Sequence, residues 1–166
     1  MSQRRAYKIR FLTLSDLPAI QAIEARAYED PWTPPLLEQS FSAALTHIMG
    51  LVDESDVCRG YAIYQVVFTE AHLLNLAIDP DLQRGGLGAQ LLEGVLADSY
   101  ARGAMSMFLE VRPSNQAARK LYENYGFNCL LVREKYYSNG EAALILTTSL
   151  PTERKKIERP SGEKSS

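Results

Sequence analysis

The chain has 166 residues, of which 46% are hydrophobic and 23% charged, and its formal net charge is −2. These proportions suit a globule of one domain, and the near-neutral balance offers no basic field for nucleic acid, so no direct nucleic-acid partner is expected. No apolar run reaches the roughly 20 residues of a membrane span, and Met1-Ser2-Gln3-Arg4-Arg5 leads into a polar stretch and not a signal-peptide core, which makes the cytoplasm the expected location and a membrane partner unexpected.

The elements follow in order. Residues 7–12 alternate loosely and predict a first strand. Thr13 and Ser15 are candidate caps for a helix carrying Leu17, Ile20, Ile23 and Ala27 at helical spacing. Asp30-Pro31-Trp32-Thr33-Pro34-Pro35 predicts a turn, and 36–45 a second helix. Two antiparallel strands, 48–52 and 60–68, flank Asp53-Glu54-Ser55-Asp56. The run 72–78 is apolar enough to predict a strand buried on both faces. Leu87, Leu91, Leu92, Val95 and Leu96 form one stripe of a helix over 87–102, with Gly103 as its stop. A strand over 105–111, a helix capped by Ser114 or Asn115, and an antiparallel pair over 127–137 and 142–150 around Asn139-Gly140 complete the pattern. Tyr136 and Tyr137 then fall on opposite faces of one strand. The domain spans 1–150. Residues 151–166 form a polar tail with the composition of a disordered segment.

The order β-α-α-β-β-β-α-β-α-β-β contains one β-α-β unit, so strands four and five should run parallel in a mixed sheet. Ligands of open α/β sheets gather at the strand ends on such an edge. There the sequence reads Gln83-Arg84-Gly85-Gly86-Leu87-Gly88. A glycine turn at a helix start leaves backbone amides unpaired, lets them crowd an anion and adds the helix dipole. A phosphate or pyrophosphate is the expected guest. The run lacks the Lys-Ser/Thr of a P-loop and the third glycine of a dinucleotide fingerprint.

His47 and His72 share no metal-ligand spacing, so no metal site is expected. Cys58 and Cys129 read as free thiols in a reducing compartment.

The glycine run resembles the Gln/Arg-x-x-Gly-x-Gly/Ala acyl-CoA loop of the GNAT N-acetyltransferases, and the element order is similar to that fold. Further stretches resemble the RimI-type ribosomal-protein alanine N-acetyltransferases: Ile23-Glu24-Ala25-Arg26-Ala27, Pro31-Trp32-Thr33, Leu74-Asn75-Leu76-Ala77-Ile78-Asp79-Pro80, Leu109-Glu110-Val111-Arg112-Pro113-Ser114-Asn115, Leu121-Tyr122-Glu123 and Tyr136-Tyr137. They span about 9–150. Where that family carries Glu-Asp-Ala, this chain has Glu141-Ala142-Ala143.

The resemblance implies an α/β GNAT fold: a mixed, mostly antiparallel sheet of six to seven strands, a β-α-β acyl-CoA-binding core and helices on both faces. It implies acetyl transfer from acetyl-CoA, as co-substrate, to a protein N-terminus, in the family the N-terminal Ala of small-subunit ribosomal protein eighteen. Glu110 would be the general base and Tyr122 the general acid. Leu76, Ala77, Ile78, Gln83, Arg84, Gly85, Gly86, Leu87, Gly88, Ala89 and Asn115 would bind CoA. Glu24, Trp32, Asn75 and Tyr137 would serve the acceptor. The residue types allow these roles: a carboxylate in the apolar stretch Met107-Phe108-Leu109-Glu110-Val111 would be raised by burial, and a phenol of pKa about 10 can donate at neutral pH. Each has a plainer reading: a solvent-facing Glu110, a core Tyr122, a helix cap at Asn115 and a Trp32 packed on the first helix. Two other functions remain open, a GNAT enzyme acting on a small amine and a non-catalytic CoA-binding module.

Overall fold

The computed structural model describes residues 6–83 and 85–152. The segment 153–166, most of the expected disordered tail, lies outside the described residues, as do the first five residues and Arg84. In chain order the elements are β1 (Lys8–Phe11), α1 (Leu17–Ala27), α2 (Pro34–Ser40), β2 (Thr46–Val52), β3 (Cys58–Val67), β4 (Glu70–Ile78), α3 (Leu87–Ala101), β5 (Ser106–Val111), α4 (Gln116–Glu123), β6 (Asn128–Arg133) and β7 (Ala143–Ser149). The strands form one sheet, β1-β2-β3-β4-β5-β7-β6. Only β4 and β5 pair in parallel, as their crossover through α3 requires. Among the described residues no helix is long and apolar enough to cross a membrane.

Helices cover both faces. On one, α3 and α4 pack over β2–β5 and β7, burying Leu91, Leu92, Val95, Met107, Leu109 and Tyr125. On the other, α1 and α2 pack over β2–β4 through Ile20, Ile23, Leu37, Tyr61 and Ile63. The predicted stripe of α3 is its buried face. Gly94 lets that helix lie close to β2, since a Cβ there would stand 2.8 Å from Met49 Sδ. Gly103, at φ 102°, follows its last turn.

Four expectations need correction. The second helix starts at Pro34, because prolines fit a first helical turn, and it ends at Ser40; Leu45 has a positive φ of 61° and Thr46 already belongs to β2. The strand expected over 127–137 stops at Arg133. Tyr136 and Tyr137 therefore sit in the β6–β7 loop, not on opposite faces of one strand, and their rings meet edge to face at 5.0 Å. Both of their amides donate to the Glu141 carbonyl, which closes the loop. Glu110 is exposed, so the burial expected of it is missing.

The fourth correction concerns β4. It is not buried on both faces: Leu74 is 42% exposed. Ile63 pairs with Asn75 but Tyr64 with Leu73, so Leu74 is a bulge. Before it, Ala71 and Leu73 face α3; after it, Ala77 faces α1. The apolar run conceals a change of face. Beyond Leu73, which pairs with Leu109, β4 also parts from β5. The residues 74–78 thus have a strand edge without a sheet partner.

Candidate active site

The parted strands define a cleft. At its lower end β4 runs into a turn, Pro80–Leu82, held by the Asp79 carboxylate. That carboxylate accepts from Asp81 N–H at 3.0 Å and from Arg26 of α1 at 3.2 Å, and Arg26 also holds Asp81 at 2.9 Å. Gln83 Nε2 reaches back to the Ile78 carbonyl at 3.4 Å. Gly86 then caps α3 in the left-handed region, at φ 76°, a conformation that favours glycine. The amides of Gly86, Leu87, Gly88 and Ala89 find no acceptor among the described residues. With Gly85 they stand at the helix start, where the sequence reading expects an anion. Arg84, also expected there, lies outside the described residues. Gly88 lies next to α4, where a Cβ would be 3.5 Å from Leu121. Asn115 caps α4 by accepting from Ala118 N–H at 3.1 Å; its side-chain NH2 remains available to a ligand.

The two residues expected to carry the chemistry, Glu110 and Tyr122, come from opposite faces of the sheet. Leu109 and Val111 point toward α3 and α4, so Glu110 between them points to the opposite face. Tyr122 comes from α4 on the first face, 7% exposed, its ring edge-on to Phe127 at 5.6 Å. Its hydroxyl has no hydrogen-bond partner among the described residues and yet is not a sealed atom. Burial pushes the phenol well above its usual pKa, so it keeps its proton. The Glu110 carboxylate lies against Tyr136 and raises that phenol in turn.

Tyr28, at the end of α1, links the two faces. Its hydroxyl donates to the Leu76 carbonyl on the free stretch of β4. Burial foremost, and then Tyr122, Glu24 and Tyr137 around it, raise its pKa. Tyr137 carries the Arg112 guanidinium 3.8 Å over its ring. Arg112 holds Asn139 Oδ1 at 3.2 Å and lies 3.5 Å from Glu141. Glu141 accepts from the Ser114 amide and hydroxyl, each at 2.9 Å. The β6–β7 loop is thereby tied to the start of α4.

Of the residues expected at the acceptor site, Glu24 and Asn75 are interior. Glu24 is 1% exposed and Asn75 8%. The Glu24 carboxylate accepts from Trp32 N–H at 2.9 Å, from Asn75 Nδ2 at 2.9 Å and from the Tyr61 hydroxyl. This joins α1, the α1–α2 loop, β3 and β4. Trp32 is half-buried and packs on the α1–α2 side, as its plainer reading has it. The sequence reading gives no site role to Tyr28, Tyr61, Arg112 or Glu141. The one usable signal was Tyr28 standing a helical turn beyond Glu24, on the same face.

Neither thiol is placed as a nucleophile. Cys58 is buried and pushed up to about 11 by that burial, and Cys129 is exposed on the edge strand β6. No cluster of three or more potential metal ligands occurs among the described residues.

The profile of the "Acetyltransferase (GNAT) family" matches residues 17–127. The chain is 41% identical over 133 residues to the "[Ribosomal protein bS18]-alanine N-acetyltransferase" of Salmonella typhimurium, covering 80% of this chain and 88% of that one. The crystal structure of the Escherichia coli ribosomal-protein-S18-alanine N-acetyltransferase superposes with a TM-score of 0.82 at 37% identity, over 92% of this chain and 99% of the other. Arabidopsis thaliana NAA60, solved in complex with acetyl-CoA, shares the fold at a TM-score of 0.79 and 14% identity, over 87% and 99% of the two chains. The glycine turn before α3 and the parting of β4 from β5 lie within the matched region, and on these findings the chain belongs to the acetyltransferase (GNAT) family.

Proposed function

We propose that the protein transfers the acetyl group of acetyl-CoA directly to the N-terminal α-amine of a protein, that of ribosomal protein bS18 with its Ala first. The observation that carries this reading is the free edge of β4 with an unpaired, proton-bearing Tyr122 hydroxyl on one side and Glu110 on the other. It gains support from relatives that bear the bS18-alanine name over most of both chains. The domain is assigned to residues 1–150, and the cytoplasm remains the expected location.

The residues fit acetyl-CoA. The amides of Gly86 to Ala89 lack acceptors among the described residues and suit the pyrophosphate, while Leu76, Ala77 and Ile78 offer a strand edge that a pantetheine arm can follow. When bound, acetyl-CoA supplies the acetyl group as an activated thioester. An α-amine has a pKa of about 8 and a thiol about 8.5, so neither proton transfer is steep. Glu110 takes the proton from the attacking amine, directly or through a water. Tyr122 donates from its hydroxyl to the departing sulfur. Positioning by the two loops supplies the larger share of the acceleration. Trp32 and Tyr137 flank the acceptor's entrance from the α1–α2 and β6–β7 loops.

N-terminal peptides that differ in their first residue, incubated with acetyl-CoA and read by mass spectrometry, test the proposal. Acetylation of the Ala-initiated bS18 peptide above the others is the expected result. Turnover of small amines alone, or CoA binding without any transfer, would replace it.

A further inference from the structure

The buried hub around Glu24 has a direction. A carboxylate accepts hydrogen bonds and donates none. Glu24 is enclosed by donors: Trp32 N–H, Asn75 Nδ2 and the Tyr61 hydroxyl. Asn75 must therefore turn its NH2 group inward, and its carbonyl oxygen, Oδ1, turns away from the carboxylate. Among the described residues that oxygen meets no donor. Nor is it sealed in packed atoms, since the Ser99 hydroxyl is the only buried side-chain polar atom without a partner among the described residues. Asn75 directly follows the Leu74 bulge and stands two residues past Leu73, where β4 parts from β5. An unused acceptor that is not fully enclosed thus belongs to the stretch of β4 that has parted from β5, its orientation set by the Glu24 carboxylate.

We propose that Asn75 Oδ1 accepts a hydrogen bond from the α-amine of the acceptor, and that Glu24 is the positioning residue that holds the amide in this orientation. The assignment rests on the acetyl-transfer reading above and deepens it. The amine must be neutral to attack, and a second carboxylate facing it besides Glu110 would further favour the ammonium form. Here the negative charge is spent on three donors and stands behind a neutral amide. The amide oxygen selects for an N–H without rewarding an extra proton as strongly as a charge would.

Steady-state kinetics with acetyl-CoA and an Ala-initiated peptide test this. Asn75→Ala should raise the KM for peptide about tenfold, the scale of one hydrogen bond, with the KM for acetyl-CoA unchanged. Glu24→Gln places an NH2 group in the hub and lets Asn75 invert; it should raise the peptide KM about three- to fivefold. The double variant should be no worse than Asn75→Ala alone, because Glu24 acts through Asn75. Additive losses, or equal changes in both KM values, would overturn the proposal. A second measurement needs no substitution. A peptide with propionyl in place of the first Ala lacks the amine and should compete about tenfold less well against the wild-type enzyme; equal competition by the two peptides also overturns it. Should acetyl-CoA bind while no peptide does, the protein-acceptor reading fails instead, and the same variants assayed on the amine that is turned over decide the role of Asn75.

Discussion

The two sides of the β4–β5 cleft are built from different material. On the cofactor side, apart from the Asn115 side chain, the proposed contacts are main-chain groups of one continuous stretch, from the free edge of β4 through the turn at Asp79 to Gly86 and the first turn of α3. On the acceptor side, the proposed side chains arrive from α1, the α1–α2 loop, β4, β5, α4 and the β6–β7 loop, and hydrogen bonds over long sequence separations hold Glu24, Asn75 and Glu141 among them. A main-chain site depends on backbone conformation and little on side-chain identity. A side-chain site fails one residue at a time. The molecule should therefore respond to substitution differently on its two sides.

The largest contrast is expected at the reacting groups. Tyr122→Phe and Glu110→Gln should each lower kcat by about a hundredfold or more, the usual worth of a positioned acid or base. Calorimetry with CoA should find binding retained, because neither side chain belongs to the glycine cradle. Unchanged turnover in both variants would remove the proposed chemistry and leave the fold.

The reverse separation is expected in the loop. Gly86→Ala meets no atom within 4 Å but forces a Cβ into a backbone at φ 76°, costing on the order of 1–2 kcal/mol, so CoA affinity should fall roughly five- to thirtyfold. Gly88→Ala makes only an ordinary contact with Leu121, 3.5 Å away, and should bind CoA as the wild type does. Equal losses in the two would show that conformation is not what the loop supplies.

On the acceptor side the β6–β7 loop depends on Glu141. The hydrogen bonds from Ser114 hold that carboxyl below its ordinary pKa. A depressed native pKa gives stability that is present above the unfolded value, about 4.3, and is lost as pH falls through the native one. The loop anchor should thus be intact at neutral pH and give way only in acid. Glu141→Gln should raise the peptide KM a few-fold at pH 7 without altering CoA binding, and the difference in urea midpoint between the two proteins should shrink below about pH 4.

The buried phenols predict the opposite limb. Burial, as the leading cause, raises Tyr28, Tyr61, Tyr64 and Tyr122. The folded protein keeps protons that the unfolded chain releases near pH 10, so this contribution is full below about pH 10 and declines as pH rises past it. Urea midpoints measured from neutral to strongly alkaline pH should fall there, and a flat profile would contradict the burial of these rings. The smallest effect is expected far from the cleft. Ser99→Ala removes a buried hydroxyl without a partner among the described residues and should leave stability unchanged or raise it by about 1 kcal/mol in denaturant unfolding.

Local order was legible because its causes are local. The α3 stripe, Gly103 behind it, the Asn115 cap and the glycine turn each follow from neighbours a few residues apart, and the β-α-β order alone made β4 and β5 parallel. The cofactor side largely shares that property, being, apart from Asn115, one continuous run of backbone. Three features were out of reach of that reading. The Leu74 bulge reverses the faces of β4, yet a run of apolar residues looks the same with or without it. Tyr136 and Tyr137 continue a strand-like pattern, but β7 pairs with β6 only as far as Arg133. Glu110 stands among apolar neighbours in the chain, while the pleat turns it to an open face.

What the sequence determined by itself, then, is the succession of elements and the glycine turn at the start of α3, because hydrophobic period and glycine placement act over a few residues. Only the tertiary structure decided the direction of the Glu24–Asn75 hub, the position of Tyr28 and the ties of Glu141, because those contacts join segments separated by 27 to 51 positions in the chain. Burial and hydrogen-bond geometry across such separations exist only once the sheet has brought the segments together.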